Sequence, residues 1–169
     1  MKNVHTLTKM AILTAAALIL GYLDSLIPLV PSVPGIKLGL ANLVLLYAVF
    51  YMRPLETAAL MLLKVGLSSL LFGNAVGALY ALAGGVLSTA AMLLLHRIPQ
   101  VSVIPVSTIG GILHMVGQCF VGFGLISVRP VLFYAPWLLI SGTVTGLLLG
   151  IAARAAFSGI ERYEGRHGA

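Results

Sequence analysis

Residues 61–73 read MLLKVGLSSLLFG, an apolar run with a single lysine, Lys64, near its centre. An ammonium group there either reaches water past a helix end or is held inside the apolar layer for a purpose. The nearest helix breaker upstream is Pro54, ten residues away, which is about 15 Å along a helix at roughly 1.5 Å per residue. That is about half of a hydrocarbon layer roughly 30 Å thick, so either interface is far for a snorkelling side chain. Placing Lys at that depth costs about 2.5–3.5 kcal/mol on insertion scales, and intramembrane charge of this kind points first to a functional site. A polar ligand cavity is therefore favoured over a structural lysine. Ser68, one turn further on, shares the Lys64 face.

The apolar layer itself follows from composition. Of 169 residues, 60% are hydrophobic and 8% charged, with mean hydropathy +1.09. A soluble domain carries about 25% charged residues, so this surface cannot face water on all sides. The 19 glycines suit helices that approach closely in lipid. The formal charge of +6 comes from basic residues set singly between apolar runs, which marks topology and not nucleic-acid binding. Cys119 is the only cysteine, so no intrachain disulfide is possible, and its apolar surroundings predict a buried, inert thiol. Lys2 and Lys9 before AILTAAALIL resemble a signal peptide, but the apolar run continues to about Val30 without a convincing small-residue cleavage site. A retained first helix is expected.

Six spans are predicted, at approximately 7–27, 38–52, 55–72, 75–95, 102–127 and 132–153, giving an all-α, polytopic integral membrane protein. PLVPSVPG at 28–35, Arg53-Pro54, Gly73-Asn74, HRIPQ at 96–100 and Arg129-Pro130 separate them. With the N-terminus inside, Lys2, Lys9, Arg53, Arg97, Arg154, Arg162 and Arg166 fall on the inner side, and Lys37 and Arg129 on the outer. Seven against two predicts both termini in the cytoplasm. One domain covers residues 1–155, and residues 156–169 are expected to form a polar cytoplasmic tail.

Further polar groups interrupt the apolar pattern. In GGILHMVGQCFVGFG, His114 and Gln118 stand four apart, with Gly110 and Gly122 on the same row. Helix–helix hydrogen bonding and a pocket wall explain that row equally well. In PSVPGIKLGLAN at 31–42, Lys37 and Asn42 flank the start of the second helix. An interfacial anchor explains Lys37 more simply than a lid over an outward-facing site. Ala11 and Ala15 form A-x-x-x-A in the first span, and Gly142, Gly146 and Gly150 form a double G-x-x-x-G in the last. Such stripes allow close helix contact, within the chain or with a partner. No lysine follows a glycine, so there is no G-x-x-x-x-G-K-[ST] phosphate loop. The four acids are scattered and no paired-cysteine motif occurs, so neither a metal site nor a cofactor is expected.

Taken in order, KLGLANLVLLYAVF, LLKVGLSSLLFGNAVGALYALAGGVLSTAAML, STIGGILHMVGQC and PWLLISGTVTGLLLGI resemble the bacterial Gx transporter family. That family often carries the name heptaprenyl diphosphate synthase component I, and the likeness covers roughly residues 7–155. It is similar in turn to the substrate-binding S components of energy-coupling-factor (ECF) importers. The resemblance implies a six-helix S-component-like bundle in a bacterial plasma membrane that captures a small molecule from outside. It also implies an ECF T subunit and two ATPase subunits as partners, with Ala11 and Ala15 matching the T-subunit docking stripe. The loop at 28–37 corresponds to the gate above the ligand. Lys64, His114 and Gln118 would line the site, with Asn42, Asn74 and Lys37 nearby, and Lys64 favours an anionic ligand. The enzyme name implies aspartate-rich magnesium-diphosphate motifs that a chain with one Asp cannot supply, so no catalytic role is expected. A non-catalytic membrane subunit of a prenyl diphosphate synthase and a solitary transporter are the alternatives.

Overall fold

In the computed structural model, residues 2–26 and 39–167 are described, with side chains from 4–26 and 39–159. Lys37 and the expected gate at 28–37 lie outside these residues. Six helices follow one another: α1 (Lys2–Leu26), α2 (Ala41–Tyr51), α3 (Pro54–Phe72), α4 (Ala75–His96), α5 (Val103–Leu125) and α6 (Val128–His167). Five are long and apolar enough to cross a membrane, while α2 is shorter. Its 11 residues reach only about 16 Å. The expected second span is thus shortened on the side of Gly39, whose φ of +74° takes the left-handed region that glycine adopts freely.

The separators act through local chemistry. Pro54 is the first residue of α3, where the missing N–H needs no partner, and the Arg53 N–H donates to Glu56 Oε2 at 3.1 Å. Arg129-Pro130 does not end a helix as expected, because Pro130 falls in the first turn of α6, another position that tolerates a missing donor. At its other end α6 continues beyond 153 to His167. Phe157, assigned by sequence to the polar tail, is instead 5% exposed, packed between Tyr47, Phe50 and Tyr51.

The helices alternate in direction. At the end where α1 begins, Lys9 lies over the Tyr47 ring, 5.3 Å from its centroid, and Phe50 meets His96. At the opposite end, Tyr22 packs edge-on against Phe72, and part-way towards it the Gly39 N–H donates to Asp24 Oδ2 at 2.8 Å. Lys9, Arg53, Arg97 and Arg154 therefore belong to the first end and Arg129 to the second, the asymmetry expected from the loops.

The surface is inside-out relative to a soluble protein. Leu55, Leu70 and Phe133 are 82%, 84% and 85% exposed, among many large apolar side chains that face outward, whereas Thr14, Asp24, Thr57, Ser88, Thr89, Ser107 and Gln118 are buried. Such a continuous apolar exterior is stable only in lipid. The chain is a multi-pass membrane protein.

Glycine sets the tightest contacts. On the α5–α6 seam, a Cβ on Gly111 would overlap the Gly142 carbonyl oxygen, and one on Gly146 would lie 2.8 Å from the Ser107 carbonyl oxygen. Ser107 Oγ donates to the Gly146 carbonyl at 2.7 Å across the seam. The stripe of Gly142, Gly146 and Gly150 thus serves packing within the chain. On the α4–α5 seam, Gly117 approaches the Ala83 carbonyl just as closely, at 2.6 Å from the Cβ position. Helix α1 packs against α2 and α3.

Candidate functional site: a polar-centred cavity inside the bundle

A cavity of about 840 Å³ lies within the bundle, lined by residues from all six helices. It runs from Phe72, Asn74, Leu125 and Ile126 at one end inward to Met92, Ser107 and Leu149. Its size falls in the usual range for small-molecule pockets, roughly 300–1,000 Å³. The walls are largely apolar, with a few polar groups set among them.

Lys64 is one of these groups. It is half-buried, faces the cavity and donates from Nζ to Asn42 Oδ1 at 2.6 Å. A hydrogen bond to a charged group contributes about 1.5–3 kcal/mol, on the order of the insertion cost, so the bundle tolerates the ammonium without exposing it to lipid. The pairing depends on α2 and α3 being held together, and Thr57 does part of this by donating to the Ala48 carbonyl at 3.0 Å in a fully buried contact. Ser68 also lines the cavity, its Oγ donating to the Val65 carbonyl at 3.2 Å.

His114 and Gln118 form the second polar group. Both line the cavity, and their side-chain nitrogens Nε2 lie 3.3 Å apart. A Cβ at Gly84 would sit 2.9 Å from two ring atoms of His114, so the missing side chain on α4 is what makes room for the imidazole. The two residues line the pocket, their 3.3 Å contact lies within α5, and the ring fits against the neighbouring helix at Gly84. Gly110 faces Met92 and Ser88 on α4, whereas Gly122 faces Tyr134, Val131 and Tyr80.

Of the other expected residues, Asn42 and Asn74 both line the cavity, Asn42 as the partner of Lys64. Asn74 already serves the fold as the N-cap of α4, with Oδ1 accepting from the Gly77 N–H at 2.7 Å. Asn74→Ala should lower stability by about 1 kcal/mol and shift ligand affinity by less than about twofold; thermal melts and binding assays on the same variant check both. Ala11 and Ala15 are exposed on α1, while Thr14 and Ala17 of the same helix are buried. The alanine stripe therefore faces away from the bundle. Cys119 is a buried free thiol. Among the described residues, no three His, Cys, Asp or Glu side chains come together as metal ligands.

Sequence does not single out the cavity residues Tyr80, Tyr134 and Asp24. The hydroxyl oxygens of Tyr80 and Tyr134 lie 3.5 and 3.0 Å from the Cβ position of Gly122. Asp24 stands near the end of α1. It is 5% exposed and lines the cavity.

A family model described as heptaprenyl diphosphate synthase component I matches residues 13–156. The chain belongs to that family. The matched span begins within α1 and ends within α6, so it includes every polar cavity residue named above. No curated protein and no solved structure matches the chain.

Proposed function

We propose that this protein is a membrane component that captures a small anionic molecule from outside, of the S-component type that works with an ECF T subunit and two ATPase subunits. The observation that carries this reading is the cavity: about 840 Å³, bounded by all six helices, with Lys64 facing it at mid-bundle. In low dielectric an ammonium pairs more strongly with an anion than it does in water. Asn42, His114 and Gln118 would supply further polar contacts, and the apolar walls would exclude water. The basic end of the bundle would face the cytoplasm, leaving the end with Tyr22 and Phe72 outside. We take the role to be non-catalytic, since the chain's one Asp cannot form an aspartate-rich motif. Import would need different affinities in outward and inward states, with energy from the ATPase subunits.

The family's description favours a second reading, a membrane subunit that accompanies a prenyl diphosphate synthase. Purification from native membranes in mild detergent, followed by mass spectrometry of the associated proteins, separates the two. The S-component reading expects a T subunit and two ATPases. A soluble prenyl synthase subunit in their place would establish the second. The outward stripe gives a sharper form of the test: Ala15→Leu should reduce recovery of the T subunit at least about tenfold, as expected when a close helix contact is blocked. Unchanged recovery would show that the stripe is not the docking face.

A further inference from the structure

The proposed role leaves Asp24 unexplained. Its Oδ2 accepts the Gly39 N–H at 2.8 Å, which fastens the start of the α2 segment to α1. Among the described residues, its other oxygen, Oδ1, is buried and has no hydrogen-bond partner. Two threonine hydroxyls share that condition, Thr14 Oγ1 and Thr89 Oγ1, but neither residue lines the cavity, and a hydroxyl rotor can turn to its own helix carbonyl. A carboxylate has no such recourse, because it accepts only. Leaving one of its oxygens unmatched at this depth is costly.

The position of Asp24 relative to Lys64 gives the missing partner its chemistry. Both residues line one cavity, and one short turn holds both. Gly39 gives its N–H to Asp24, and the Gly39 carbonyl accepts the Asn42 N–H at 2.7 Å. Asn42 in turn accepts from Lys64 at 2.6 Å. Gly39 is needed in this turn for two reasons: its φ is +74°, and a Cβ there would lie 3.2 Å from Asn42 Nδ2. The turn thus holds a carboxylate and an ammonium at a fixed spacing along one cavity wall.

Resting on the reading of the cavity as an anion-capture site, we infer that its ligand is zwitterionic: an anionic group faces Lys64, and an ammonium group donates to Asp24 Oδ1. The ligand thereby supplies the donor that the buried carboxylate lacks. Recognition by two opposite charges also sharpens selectivity, since an acid without the amine leaves Asp24 unsatisfied, and buried groups left unpaired discriminate strongly.

The test uses the full chain in lipid nanodiscs and matched probes: straight-chain ω-amino acids of three to six carbons, each against the unsubstituted acid of the same length. For at least one length, the wild-type protein should bind the amino acid about tenfold more tightly than its partner, the scale of one charge-assisted hydrogen bond. Asp24→Asn keeps an oxygen for the Gly39 N–H and replaces only the unpaired acceptor, so the fold contact survives; size-exclusion elution checks this. In that variant the preference for the amine should fall to within about twofold. Absence of the preference at every length, including a failure of all probes to bind, would overturn the inference, as would its persistence in Asp24→Asn. The underlying reading fails separately: Lys64→Met would then bind the unsubstituted acids as well as the wild type does.

Discussion

Gly111→Val and Gly146→Val should each cost more than about 3 kcal/mol and leave little monodisperse protein after detergent extraction. At both positions the added Cβ meets backbone and not a side chain that can swing away: the Gly142 carbonyl in one case, the Ser107 carbonyl and Thr108 Cα in the other. Relief therefore requires α5 and α6 to separate, which would also lengthen the Ser107–Gly146 hydrogen bond. Since α5 carries His114 and Gln118, the damage extends to the cavity wall. Gly66→Ala is the control, because a Cβ there meets nothing within 4 Å; removing a glycine from a helix interior should stabilise by about 0.5–1 kcal/mol. Size-exclusion profiles after graded heating would rank the three variants, and equal tolerance of valine on the seam would refute the close-packed α5–α6 interface.

Lys64→Met should have the opposite profile, with a folded and heat-stable protein that no longer holds its ligand. Methionine is comfortable in an apolar bundle and removes the cost of an intramembrane charge, at the expense of the donor to Asn42. Losing a charge-assisted contact of about 1.5–3 kcal/mol weakens anion binding by roughly 10- to 100-fold. Small molecules released by denaturing protein purified in mild detergent should accordingly fall at least about tenfold relative to the wild type. Equal ligand recovery from the two proteins would mean that the ammonium serves the bundle alone.

Membrane class and most helix boundaries are legible in the sequence, because they depend on local features: apolar length, and proline or glycine at the ends. The start of α6 departs from expectation because a proline ends one helix or begins another according to the turn in which it falls, and Pro130 falls in a first turn. The extension of α6 past 153 depends on Phe157 reaching the aromatic residues of α2, a contact between distant parts of the chain. Lys64 is conspicuous because a lone charge stands out in an apolar run. Its partner Asn42, 22 residues away, emerges only when α2 and α3 are packed together. Asp24 is hidden for a similar reason. Its position near the end of the first span suggests an interfacial residue, and only the return of the chain at Gly39 encloses it. The role of Asn74 was within reach, since Asn just before an apolar helix is an N-cap signal.

If Lys64 stands in a cavity open to the outside and not in lipid or solid core, its position is reachable from outside the cell. Thiol accessibility in intact cells tests this without knowledge of the ligand. In a Cys119→Ala background, Lys64→Cys should react with a membrane-impermeant maleimide added outside, whereas Leu62→Cys, on a neighbouring position of α3 that is 54% exposed on the apolar exterior, should not. Lys64→Cys as unreactive as Leu62→Cys, or reactive only once the cytoplasmic side is opened, would contradict the account.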